Sequence, residues 1–137
     1  MQLATKENLQ AEQAFKDLAS AKYGLTLIDT DLYCPFDFIG LKGSEVYSVI
    51  EYKTSSYNFR DWQTFFESVH KIENCLKVAE VLKVPFYYFI QFKDCLTVAK
   101  IDRAKLPEPV IGGRTDRGRP EDLRPVYHFN IYNLKQI

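Results

Sequence analysis

The chain has 137 residues, with 18 Lys and Arg set against 18 Asp and Glu, and it carries ten Phe, nine Tyr and one Trp. That length predicts one domain with a real core, and the aromatic content excludes a disordered chain. The zero formal net charge argues against a partner held by bulk electrostatics, so a nucleic acid would have to meet a local basic patch or a metal.

Cys34, Cys75 and Cys95 are odd in number and far apart, forming neither a disulfide framework nor a Cys-x-x-Cys zinc pattern. The N-terminus lacks an apolar signal core, and no apolar run is long enough to span a bilayer. A soluble cytoplasmic protein is the resulting expectation.

In chain order, residues 5–23 read as a helix with Thr5 at its N-cap and Gly24 as its stop. Ala4, Ala11, Ala14, Phe15, Leu18 and Ala19 form the expected buried stripe, with Glu12 at its edge and Glu7 nearer its middle. Residues 25–32 alternate as a strand. Asp29 and Asp31 at its end read as turn acids bonding their own backbone rather than as metal ligands.

Residues 35–53, PFDFIGLKGSEVYSVIEYK, read as two short apolar strands joined by a Gly-containing turn. A three-residue loop, Lys42-Gly43-Ser44, would set Asp37 opposite Val49 and diagonally beside Glu51. Glu51 and Lys53, two apart on a strand, must share a face. Two carboxylates and an amine converging from buried strands are costly to desolvate, and a divalent cation with a phosphate would offset that cost.

Residues 54–58 are a polar loop, either lining a substrate groove or simply connecting strand to helix. Residues 60–82 read as the longest helix, because Trp62, Phe65, Phe66, Val69, Ile72, Leu76, Ala79 and Leu82 recur at three and four. The stripe reads as core packing, not as a base-stacking platform, with His70 and Lys71 on its flanks. Residues 85–92 read as a strand covered on both faces, followed by a turn at 93–95 and a strand at 96–101.

Residues 103–125 show no period and read as a long loop holding Arg103, Lys105, Arg114, Arg117, Arg119 and Arg124, interrupted by Asp116, Glu121 and Asp122. Such a loop is either a DNA contact or a solvated, ion-paired segment. Residues 126–134 read as a last strand with Tyr127, Phe129 and Ile131 inward, and His128 outward or at an oligomer edge.

Pro35-Phe36-Asp37, with Phe36 between the two letters, and Glu51-Tyr52-Lys53, the chain's sole acidic-x-Lys triplet, together resemble the PD-(D/E)XK nuclease superfamily. The resemblance covers residues 1 to about 100 in order of elements. It implies an α/β, restriction-endonuclease-like core with a mixed sheet flanked by helices, in the order α-β-β-β-α-β-β. To that core, residues 1–102 of a single domain, the loop and the C-terminal strand would be added.

The implied activity is hydrolysis of DNA phosphodiester bonds with Mg²⁺, or Mn²⁺ as a substitute. Asp37 and Glu51 would hold the metal, with Glu12 (or Glu7) from the first helix and the Tyr52 backbone carbonyl completing the shell. Lys53 would orient the attacking water or stabilise the developing oxyanion. Lys71, Arg60, Arg114, Arg117 and Arg119 would contact DNA.

A small neutral domain offers limited DNA surface, so a homodimer or homotetramer is expected. Two other readings stand beside the nuclease. One is an inactive nucleic-acid-binding or assembly module on the same fold; the other is an adaptor using the 103–125 loop on a protein partner. No Walker loop, dinucleotide fingerprint, HExxH helix or nucleophile elbow competes with the acidic pair.

Overall fold

A computed structural model describes residues 6–31, 34–113, 118–120 and 123–137, with side chains from residue 9 onward in the first helix. Helix α1 (Lys6–Tyr23) leads into strands β1 (Thr26–Asp29), β2 (Phe38–Lys42), β3 (Glu45–Thr54) and β4 (Thr64–Ser68). Helix α2 (Val69–Leu82), β5 (Phe86–Gln91), β6 (Leu96–Ile101), β7 (Val110–Gly113), β8 (Leu123–Asn130) and β9 (Lys135–Gln136) follow.

Among the described residues the strands form two sheets, one ordered β1-β2-β3-β5-β6-β9 and one ordered β4-β8-β7. The larger sheet is mixed. Its antiparallel ladders are interrupted by a parallel pairing of β3 with β5, for which α2 lies in the crossover. This is the mixed, helix-flanked α/β architecture expected from the sequence.

Two apolar clusters cover the faces of that sheet. On the α1 side Phe15 and Ala19 pack with Leu25, Leu27, Phe38, Ile50 and Phe89. On the other side α2 supplies Ile72, Cys75, Leu76 and Ala79 against Val49, Phe86, Tyr88 and Ile90, and the small sheet adds Phe65, Tyr127 and Phe129. Strand β5 feeds both clusters, which explains its nearly unbroken apolar run.

Several expectations from the sequence are corrected. Ala14 is exposed rather than part of the α1 stripe, and Ala4 lies outside the described residues. The segment 60–82 is not one helix. Thr64–Ser68 is strand β4, paired with β8 so that Phe65 faces Phe129 with rings stacked 5.0 Å apart.

The Thr-Phe-Phe run is a good strand former, and its two aromatics also satisfy a helical period. Pairing with β8 decides between them. The helix starts only after Ser68, whose side chain accepts the Lys71 N–H at 3.1 Å. Trp62 and Phe66, expected in a core stripe, are 60% and 50% exposed.

The 103–125 segment also contains structure. Val110–Gly113 and the start of β8 form a ladder through Ile111–Pro125 and Gly112–Arg124. Arg103 is tied to α2, 2.9 Å from Glu73 and 2.7 Å from Glu80. Tyr127, Phe129 and Ile131 are buried as expected, but so is Val126. His128 is exposed, pointing outward as expected, paired across from Phe66 of β4 and beyond the last β7 pair at Val126. The C-terminal β9 joins the larger sheet against β6. No helix among the described residues is long and apolar enough to cross a membrane.

Candidate active site

The site begins at the β2–β3 hairpin. Its loop has two residues, with Lys42 paired to Glu45 and Gly43 at φ +61°, the positive value that a two-residue hairpin needs at its first central position. Between Gly40–Ser48 and Leu41–Val46 the register shifts, leaving Tyr47 as the extra residue of a bulge.

The combined effect moves the pairing by two residues from a three-residue loop's register. Phe38 faces Ile50 at the end of the ladder, and Asp37, the residue before it, stands beside Ile50 with its carboxyl next to that of Glu51 instead of opposite Val49. The Asp37 N–H donates to the Ile50 carbonyl at 3.2 Å, and the Tyr52 N–H donates to Asp37 Oδ2 at 2.9 Å.

Val49 packs in the α2-side cluster and Ile50 in the α1-side cluster, so Glu51 and Lys53 point toward α2. Glu51 is 4% exposed. Its Oε1 lies 2.7 Å from Lys71 Nζ, while its Oε2 is buried without a hydrogen-bond partner. Burial, and then the charge of Asp37, push the Glu51 carboxyl up to about 8 even though Lys71 pulls the other way.

Burial alone would lower the Lys71 ammonium. The charge and hydrogen bond of Glu51, with Glu67 and Asp37 behind them, lift it instead. Lys71, expected as a DNA contact, is therefore the counter-ion of Glu51.

Two further members were missed in the sequence. Glu67 Oε1 accepts the hydroxyl hydrogen bond of the fully buried Tyr88 at 2.9 Å, and Glu67 Oε2 accepts the Ser68 N–H at 2.9 Å. Glu67 was hidden inside the segment read as helix; its strand setting, with Phe65 buried, was the missing signal. Beneath them the Cys75 Sγ donates to the Pro35 carbonyl at 3.5 Å. Its thiol is pushed well up by burial and then by Glu51, so it is an inert core group.

Glu12 is half-buried on α1. Its carboxyl is raised by burial, then by the charges of Asp37 and Asp29. Asp37 is thus the group that Glu12 and Glu51 both feel, Glu12 from the α1 side and Glu51 from the α2 side. Tyr52, stacked on Phe15 at 4.5 Å, stands between Glu51 and Lys53 in sequence but turns to the α1 side. Asp29, expected to bond its own backbone as a turn acid, is exposed and pairs instead with Lys16 at 2.8 Å.

Lys53 is exposed, with its Nζ 5.8 Å from the Phe66 ring centre. It stands at one wall of a groove of about 820 Å³ that also includes Arg60 and loop 54–58. Arg119 is exposed, whereas Arg114, Arg117 and the Glu7 side chain lie outside the described residues.

Among the described residues no group of three or more His, Cys, Asp or Glu side chains is gathered to hold a metal ion. The Asp37–Glu51 pair nevertheless fits a hard divalent cation of the Mg²⁺ type, which takes one or two carboxylates and fills its shell with water and substrate phosphate oxygens. The Glu51 Oε2 without a donor, and the elevation of the Glu51 carboxyl by burial and by Asp37, are what such an ion would relieve.

The fold is similar to that of Archaeoglobus fulgidus Hjc, a Holliday junction resolvase from an archaeal hyperthermophile, at a TM-score of 0.58 and 14% identity over 93% of this chain and 92% of that one. No curated protein sequence matches the chain. A family profile described as "Phage putative PDDEXK endonuclease" matches residues 2–137, which hold Asp37 and the Glu51-Tyr52-Lys53 triplet, and the chain belongs to this endonuclease family.

Proposed function

We propose that the chain is a Mg²⁺-dependent deoxyribonuclease, active also with Mn²⁺, whose catalytic centre is Asp37, Glu51 and Lys53. The observation that carries this reading is the buried carboxyl of Glu51, pushed up to about 8 by burial and by the Asp37 carboxyl beside it, with an Oε2 that no N–H or hydroxyl donor serves. Family membership supports the nuclease activity, and the residue roles are inferred from geometry.

Asp37 is locked by the Tyr52 amide at 2.9 Å, and Glu51 is oriented through its Oε1 by Lys71 at 2.7 Å, so each acid keeps its position when substrate arrives. Glu12 assists from the α1 side through water, and the Tyr52 carbonyl contributes a neutral oxygen. When bound, the cation supplies charge neutralisation at the scissile phosphate and acidifies the attacking water.

Lys53, on the same face as Glu51 but in solvent, orients the attacking water or donates to the non-bridging phosphoryl oxygen on which negative charge grows as that water adds to phosphorus, before the P–O ester bond breaks and the departing oxygen takes up a proton. Arg60 and Arg119 are the described candidates for flanking phosphate contacts, joined by Arg114 and Arg117.

Cleavage of plasmid, linear, single-stranded and four-way-junction DNA with Mg²⁺, Mn²⁺ or EDTA tests this reading. The native chain should cut at least one substrate only with metal, and both Glu51→Gln and Lys53→Ala should lose that cutting while remaining folded. Metal-independent cutting, or full activity in either variant, would sink it. If DNA binding persists in a protein that cuts nothing, the acids form a structural ion network in an inactive binding module.

A further inference from the structure

The groove beside Lys53 has an unusual lining for a protein surface. Trp62 is 60%, Phe66 50% and Tyr57 49% exposed, and all three border the same cavity. Scattered exposed aromatics need no explanation, but three on one concavity mark a binding surface.

Tyr57 and Trp62 meet edge to face at 5.6 Å, so each limits the other's motion. Phe66 lies beneath the Lys53 ammonium at 5.8 Å. On the rim, Arg60 has φ +77°, a strained value for a non-glycine residue, and its guanidinium lies over the rings of Phe59 and Tyr132 at 5.1 and 5.6 Å. Among the described residues the one acid on the groove wall, Asp61, accepts the Asn58 N–H at 2.9 Å and serves the loop.

We propose that this groove holds unpaired nucleotides of the DNA substrate, with bases stacked on Trp62, Tyr57 and Phe66 and phosphates met by Lys53 and Arg60. The inference rests on the nuclease reading above and adds the substrate class. Flat apolar rings alternating with cations match a strand whose bases and phosphates alternate, whereas in a duplex the base faces are stacked on one another and cannot reach the rings.

A wholly apolar ligand would leave both cations without a partner, and an acidic peptide would leave the rings without one. Lys53 belongs both to the groove and to the catalytic face of β3, so the phosphate next to the unpaired nucleotides is delivered to Asp37 and Glu51. The preferred substrate is therefore a junction between paired and unpaired DNA.

Trp62 is the sole tryptophan, so its fluorescence reads the groove directly. The full chain is titrated in EDTA, at a fixed salt of about 0.1 M, with a short thymidine oligonucleotide, a blunt duplex of equal length and the same duplex bearing a single-stranded arm. Quenching by the oligonucleotide and the armed duplex, and none by the blunt duplex, is expected.

Trp62→Ala and Tyr57→Ala, both at exposed positions that leave melting unchanged, should each weaken binding of a labelled single strand by roughly 5- to 100-fold in anisotropy. Equal quenching by the blunt duplex, or unchanged single-strand affinity in both variants, overturns the proposal. Should the chain bind and cut only blunt duplex with Mg²⁺, the catalytic reading survives and the groove assignment falls. Should the armed duplex quench Trp62 in a protein that never cuts it, the groove assignment survives and the catalytic reading falls.

Discussion

Replacing Glu51 by Gln should remove the main pH liability of the fold. The Glu51 carboxyl is lifted from 4.5 to about 8 by burial and by Asp37. For an acid whose folded value lies above its unfolded one, the folded state holds the proton more firmly. The contribution of Glu51 to stability is therefore largest below about pH 4.5, declines as pH rises toward 8, and levels off above it.

At roughly 1.4 kcal/mol per unit the full span is about 5 kcal/mol, of which about 3 kcal/mol falls between about pH 5.5 and pH 8.5. Glutamine keeps the shape and cannot ionise. Asp37, Glu67, Lys71 and Cys75, the other groups around Glu51, are common to both proteins and cancel to first order.

Urea unfolding in EDTA at the two pH values reads the difference. Native minus variant stability should fall by about 2–3 kcal/mol from the lower to the higher pH. Adding Mg²⁺ at about pH 8.5 should stabilise the native chain and leave the variant unchanged, because only the native chain offers the second carboxylate. Parallel pH curves for the two proteins would show that Glu51 is not the strained acid the geometry makes it. Equal stabilisation by Mg²⁺ would remove it as a ligand.

Lys53→Ala should abolish cleavage while shifting unfolding by no more than about 0.5 kcal/mol, because the side chain is exposed; a large loss of stability would make Lys53 structural. Gly40→Ala should cost about 1–3 kcal/mol in urea unfolding, since a Cβ there would lie 2.7 Å from Ser48 Oγ and 3.2 Å from Ile50 Cδ1, and a neutral result would mean that the hairpin relaxes around it. Ser68→Ala should cost about 1 kcal/mol by leaving the Lys71 N–H uncapped, and because Lys71 holds Glu51, the same variant should lower cleavage more than its stability loss explains.

The elements whose residues carry one unambiguous period were legible in the chain alone. Strand β6 occupies 96–101 as expected, α1 ends at Tyr23 before Gly24 at φ +66°, and the inward set Tyr127, Phe129 and Ile131 was readable from alternation. So was the approach of Asp37 to Glu51 and Tyr52, because local residue types and a two-residue strand period are written in the sequence itself.

What was not legible depends on partners far along the chain. Phe65 and Phe66 fit a helix or a strand equally, and only β8, some sixty residues away, makes that segment a strand and turns Trp62 and Phe66 out to solvent. The register that brings Asp37 beside Glu51 comes from a two-residue loop together with a bulge at Tyr47, neither of which composition announces. Lys71 is a surface lysine in the sequence and a carboxylate partner in the fold, because the crossover of α2 between β3 and β5 carries it over Glu51. Periodicity specifies which elements can exist, but register and layer stacking arise from long-range pairing and burial, and those decide which charges meet.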